Sequence, residues 1–172
     1  MRTTREAINI VIFGCGSMGR NHLRVSLSSL RCEVVAIVDP NPDALERAAT
    51  EADFKGALFK SFEELCNSRV VFDSAIVASD TDNHYLLAKN LLSINKHCLV
   101  EKPISEAIEH AMELKLMANK KGLTLLGGFV ERYNPVYQFL KGDHVNSFGR
   151  LLSLQTNRIG PYRGSGTGND VA

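Results

Sequence analysis

Tryptophan is absent from this chain of 172 residues, proline occurs five times and cysteine four times. No apolar run approaches the ~20 residues that a membrane-spanning helix needs. The opening "MRTTREA" leads into a strand-like pattern with no secretory h-region, so a cytoplasmic protein without a membrane partner is expected. Neither sign of charge dominates, since 20 Lys and Arg stand against 19 Asp and Glu, a net charge of +1. That balance leaves no electrostatic footprint for nucleic acid. Cys15, Cys32, Cys66 and Cys98 lie singly in apolar segments, without disulfide or metal-ligand spacing, and read as reduced thiols; no metal is expected.

What remains is an ordinary globular composition, 44% hydrophobic and 23% charged, in a chain long enough for one domain and part of a second. Short β-branched runs alternate with segments of helical period. "INIVIFG" is short, β-branched and apolar but for Asn9, as a strand covered on both faces should be. "EVVAIVD", "DSAIVAS", "HCLVE" and "LTLLGGF" repeat the pattern, separated by helical segments. In "NPDALERAATEA", Asn41 is placed to cap a helix with Pro42 at its first position. "SFEELCN" has the outline of a capping box between Ser61 and Glu64. Strands joined by helical crossovers predict an α/β fold with a Rossmann-type, doubly wound parallel sheet over residues 1–127. From 128 to 172 the style changes to one short helix near Pro135–Leu140 and one alternating strand near Arg150–Ile159, the beginning of an incomplete α+β domain.

The chemistry begins at Gly14-Cys15-Gly16-Ser17-Met18-Gly19, a G-x-G-x-x-G. Alone such a motif is weak, because a tight loop also uses glycine. Here it follows a predicted buried strand, opens a helix, and precedes Asp39 at the end of the next strand, which is the context of dinucleotide binding. Gly14 would permit the turn, Gly16 would let backbone approach a pyrophosphate, and Gly19 would let the helix pack closely on its strand. The first turn, with Ser17 and Met18, would then present free N–H groups to the anion. A carboxylate at Asp39 suits two ribose hydroxyls and repels a 2′-phosphate, which favours NAD over NADP; Asp39 could equally cap the helix that follows.

"VIFGCGSMGRNH", "AIVDPNPD", "SDTDNHYLLAKNLL" and "HCLVEKPIS" occur together in the order and spacing of the Gfo/Idh/MocA oxidoreductases, and the chain resembles that family from about Ile8 to Pro161. "GGFVERYNP" and "LQTNRIGPY" look most like the branch acting on nucleotide-linked amino sugars. The resemblance implies NAD as cofactor and a sugar or nucleotide-sugar as small-molecule substrate. It places Lys102 of "EKP" beside the nicotinamide and the substrate hydroxyl as the catalytic residue; Pro103 would rigidify the turn that aims it, and Glu101 would orient the lysine or the nicotinamide ribose. Read as residues alone, Lys102 could also be a solvated loop side chain. Ser79, Thr81, Asn83 and His84 are implied to border the nicotinamide half of the cofactor; for His84, a ring packed at a helix start is an equal alternative to ligand contact. His22, His97, His110 and His144 carry no assigned chemistry.

Members of this family continue after a "GPYR"-like segment into a substrate domain in which an aspartate and a histidine join the lysine. Asp170 is the only acid near that place here, and no histidine follows it. Three readings therefore stand at this point: the NAD-binding portion of a sugar dehydrogenase, inactive as this fragment; a stand-alone NAD-binding module; and an interaction protein without turnover. The intact glycine motif, Asp39 and Lys102 count against the last. An unpaired strand edge with Leu151, Leu154 and Ile159 would make a homo-oligomer possible.

Overall fold

A computed structural model describes residues 7–142 and, beyond them, 149, 150, 152, 153, 155 and 157. It contains six strands, β1 (Ile8–Phe13), β2 (Cys32–Val38), β3 (Ala57–Phe59), β4 (Ser74–Val77), β5 (His97–Val100) and β6 (Leu125–Gly127). The helices among the described residues are α1 (Ser17–Leu27), α2 (Pro42–Glu51), α3 (Phe62–Asn67), α4 (Thr81–Ser93), α5 (Ile108–Lys121) and α6 (Pro135–Lys141). All strand pairs are parallel, in the order β3-β2-β1-β4-β5-β6. The expected doubly wound sheet is therefore present, and chain direction across the sheet reverses between β1 and β4.

The apolar runs are continuous because both faces of the sheet are covered. Val11 and Phe13 of β1 join the buried cluster that includes Leu91 and Leu92 of α4 and Leu114 of α5. Ile10 and Ile12, one residue out of step, join the cluster of Leu23 from α1 with Ala44, Leu45 and Ala48 from α2. Successive strand side chains point to opposite faces, so a polar residue at any of these positions would be buried on one side or the other. Each large aliphatic side chain taken from water contributes about 2 kcal/mol.

Local signals set the helix ends. Asn41 accepts from the backbone N–H of Asp43 at 2.9 Å and of Ala44 at 3.4 Å, and Pro42 opens α2, as expected. Ser61 caps α3 through the Glu64 N–H at 3.2 Å, but the returning arm of the box differs: the Glu64 carboxylate takes the N–H of Lys60 at 2.7 Å rather than that of Ser61. Gly122 ends α5 in the left-handed region at φ +64°. Strand β3, three residues long and paired with β2 alone in the sheet order, carries too short a pattern to stand out in the sequence.

The chain divides into two compact units after Phe129. In the second, a 3₁₀ turn at Val130–Tyr133 precedes α6, whose first turn is capped by Asn134 through the Val136 N–H at 2.9 Å. The expected helix near Pro135–Leu140 is thus present. The strand expected near Arg150–Ile159 and the tail with Pro161 and Asp170 lie largely outside the described residues.

Candidate functional site

Parallel pairing brings the carboxyl ends of the central strands to one edge. Phe13 is in register with Val38 and with Val77, Val77 with Val100, and Val100 with Gly127. The segments leaving these positions carry every residue singled out by the sequence: Gly14–Gly19 after β1, Asp39 after β2, Ser79–His84 after β4, and Glu101–Pro103 after β5. Backbone bonds hold the exits together. Gly14 N–H donates to Val38 O at 2.8 Å, Ala78 N–H to Phe13 O at 2.7 Å, Glu101 N–H to Val77 O at 2.8 Å and Gly128 N–H to Val100 O at 2.7 Å.

The glycines divide their roles by what a side chain would meet. Gly14 lies at φ +94°, and a Cβ there would stand 2.4 Å from Ala78 O, so the turn needs both the conformation and the missing atom. At Gly19 a Cβ would fall 1.8 Å from Gly14 O. Close packing at Gly19 is therefore against the turn's own backbone at the exit of β1. Gly16 is the opposite case, since a Cβ would meet nothing within 4 Å. Gly16 is the N-cap of α1, has no capping side chain, and no acid lies in the first turn of the helix. The space beside Gly16 is thus open, and the helix start facing it carries neither a capping side chain nor an acid of its own, which fits a pyrophosphate.

Asp39 is tied to that turn. Its Oδ2 accepts the Cys15 N–H at 2.7 Å and its Oδ1 the Asn41 N–H at 2.9 Å. Each oxygen retains capacity for one further donor, so the carboxylate can orient the Gly-rich turn and still receive two ribose hydroxyls. Burial, reinforced by the charge of Asp39, pushes the Cys15 thiol up to about 12 and keeps it neutral beside this carboxylate.

Across the switch point the site consists of side chains. His84 is 2% exposed, with Nδ1 2.7 Å from Pro103 O and Nε2 2.9 Å from Ser79 O. The ring sits inside the helix start and joins the β4 exit to the EKP turn. A neutral imidazole donates to one of these carbonyls at a time, whereas the doubly protonated ring donates to both. Thr81 and Asn83 open α4, whose N-cap Asp80 makes no side-chain cap bond. Lys102 is exposed, precedes a cis peptide bond to Pro103, and its ammonium has no partner among the described residues. Glu101 is 5% exposed. Its carboxylate accepts from the Lys102 backbone N–H at 3.1 Å and from His22 Nε2 at 2.8 Å.

His22 is the residue that sequence reasoning passed over. It lies in the second turn of α1, three residues after Gly19, yet its partner is 79 positions away, and no local pattern links the two. Gly128 completes the enclosure, because a Cβ there would stand 2.9 Å from the Glu101 carboxylate. Among the described residues no group of His, Cys, Asp and Glu is placed to hold a metal, and no helix is long and apolar enough to cross a membrane.

A doubly wound sheet with a Gly-rich turn opening its first helix, an acid closing its second strand and an open anion cradle between them defines an NAD-binding Rossmann domain. The particular family follows from comparison with known proteins: residues 8–129 match the Gfo/Idh/MocA oxidoreductase family, NAD-binding Rossmann fold, and the chain belongs to it. UDP-N-acetylglucosamine 3-dehydrogenase of Acidithiobacillus ferrooxidans is 28% identical over 155 residues, 88% of this chain and 45% of that enzyme. The crystal structure of a UDP-N-acetylglucosamine 3-dehydrogenase from the same species superposes with a TM-score of 0.67 at 25% identity, over 78% of this chain and 42% of that one. The fold is shared with scyllo-inositol dehydrogenase from Lactobacillus casei with bound NAD(H) and scyllo-inositol, at a TM-score of 0.73 and 23% identity, over 82% of this chain and 41% of that one. The chain spans less than half the length of these relatives. Its cofactor is NAD.

Proposed function

We propose that this chain is the NAD-binding portion of an oxidoreductase that moves hydride between NAD and a hydroxyl of a sugar or nucleotide-sugar, with Lys102 as the catalytic residue. The observation that carries this reading is the convergence on one sheet edge of an open cradle at Gly16, the Asp39 carboxylate and the exposed Lys102 ammonium, which has no partner among the described residues. Bound NAD supplies the hydride acceptor. The first turn of α1 receives the pyrophosphate, and Asp39 receives the adenosine ribose while keeping the Gly-rich turn in place. Ser79, Thr81 and Asn83 border the opposite half of the cofactor at the start of α4. His84, with both nitrogens already engaged, holds the β4 exit against the EKP turn.

Lys102 polarises the substrate hydroxyl and stabilises the oxygen as negative charge develops there, a contribution of about 10²- to 10⁴-fold for a well-placed group. Its exposure suits this role, since a side chain on an open turn can reach a substrate lying over the sheet edge. A nucleotide-linked amino sugar is the preferred substrate class, supported by the similarity to a UDP-N-acetylglucosamine 3-dehydrogenase. The inositol dehydrogenases among the relatives act, by name, on a cyclic polyol, which supports a ring hydroxyl as the reacting group.

Calorimetric titration with NAD and NADP tests the site. NAD should bind at least about tenfold more tightly, the equivalent of 1.4 kcal/mol, because the Asp39 carboxylate opposes a 2′-phosphate and the adjacent Pro40 and Asn41 provide no positive charge. Equal affinities remove the role given to Asp39, and binding of neither cofactor overturns the reading as a whole.

A further inference from the structure

Glu101 is a carboxylate almost removed from water, and burying a charge is costly unless donors are placed to meet it. Its two oxygens have separate duties. Oε2 accepts the N–H of the next residue, Lys102, which fixes the backbone where the turn begins. Oε1 accepts from His22, a side chain that reaches the carboxylate from outside its own turn. Because a carboxylate only accepts, the hydrogen between them belongs to His22, on Nε2. Gly128 closes the remaining side, so without His22 the carboxylate would be left short of a donor in a space it cannot leave.

The helix that carries His22 is the same helix whose first turn faces the pyrophosphate cradle. We propose that His22 is a positioning residue: through Glu101 it ties the helix that receives the cofactor phosphates to the turn that carries Lys102, so that Lys102 is held at the cofactor only while this bond is made. The inference rests on the reading of Lys102 given above. It identifies the third residue after the glycine motif as part of the reactive turn rather than of the phosphate loop.

The test measures Lys102 itself. The full chain is acetylated with acetic anhydride with and without saturating NAD, and the Lys102 peptide is quantified by mass spectrometry alongside NAD affinity by calorimetry. In the native protein NAD should shield Lys102. His22→Leu should keep NAD affinity within about threefold, because the glycine turn and Asp39 are untouched, while shielding of Lys102 falls about tenfold, the scale of one charge-assisted hydrogen bond. His22→Gln, which retains an N–H donor, should restore shielding. If His22→Leu does not fold, the double variant His22→Leu with Glu101→Gln removes the stranded charge and should show the same loss. Undiminished shielding in a folded variant without the His22 donor overturns the inference and leaves the reading of Lys102 intact. So does an equal loss of NAD affinity in His22→Leu and His22→Gln, which would place His22 on the cofactor. A native Lys102 that NAD fails to shield removes that reading of Lys102, and the inference with it.

Discussion

At the end of β1 the site is made of backbone and empty space, a left-handed glycine, an uncapped helix start and an open volume beside Gly16, held in place by the Asp39 carboxylate from the end of β2. At the ends of β4 and β5 it is made of side chains, His84, Glu101 and His22, whose polar atoms are tied to carbonyls, a backbone N–H or each other. The difference follows from the task. A pyrophosphate is bound by many N–H groups at once and needs only that nothing stand in the way. A reacting group must be held to a fraction of an ångström, which requires neighbours that are themselves immobile.

If the first half depends on absent atoms, then its two helix-start glycines should fail in opposite ways. Gly19→Val should cost on the order of 3 kcal/mol or more, because a Cβ only 1.8 Å from Gly14 O forces the turn apart. Gly16→Val should cost about 1 kcal/mol, as an apolar residue at an N-cap does, while nearly abolishing NAD binding. Denaturant unfolding paired with NAD titration separates the two outcomes; similar stability losses at both positions would break the distinction.

The second half predicts a different failure. His84→Leu retains the bulk of the ring but removes the donor shared by two partly buried carbonyls, Ser79 O and Pro103 O, for a loss of about 1 to 2 kcal/mol. The same substitution should leave the phosphate end of the site in place, so AMP affinity should change little while NAD affinity falls. A variant as stable as the native protein would show that the ring is filling space rather than holding the two exits together.

The smallest effect sharpens the comparison through two thiols, Cys15 in the glycine turn and Cys98 in β5. Burial raises each from 9.0 to about 12. In the unfolded chain both ionise from about pH 9, whereas in the native state they remain neutral, so the unfolded state binds fewer protons and stability falls as pH rises through this window. At pH 10 the loss should be about 1 kcal/mol per thiol, and Cys15→Ala or Cys98→Ala should each flatten the alkaline slope of thermal unfolding. A slope unchanged by both substitutions would show that other groups govern it.

Much of this was legible in the residue order. The strands at Ile8–Phe13, Cys32–Val38 and Ser74–Val77 are short, mainly apolar runs rich in β-branched side chains and bounded by turn residues, and it is that length and composition, more than any period, that marks them as strands. Asn41 and Ser61 announce their helices because a cap bonds to a backbone only two or three residues away. The glycine motif is similarly local, a turn written in one hexapeptide. β3 was missed because three residues carry no period, and its pairing with β2 depends on a strand already in place. The capping box at Ser61 was half right for a related reason, since which N–H the Glu64 carboxylate takes depends on how the chain arrives from β3.

The amino-acid sequence by itself therefore determined the alternation of strand and helix, the helix caps, the glycine turn and the presence of an acid at Asp39, all of which are set by interactions within a few residues or by a periodic need to bury apolar surface. Only the tertiary structure decided that Gly19 is required by Gly14 rather than by the body of a strand, that His84 faces inward between two loops, and that His22 and Glu101 meet. These depend on parallel strands bringing distant exits to one edge, where a hydrogen bond joins residues 79 positions apart. Such a bond leaves no periodic trace in the chain, because its geometry exists only once the sheet has closed around it.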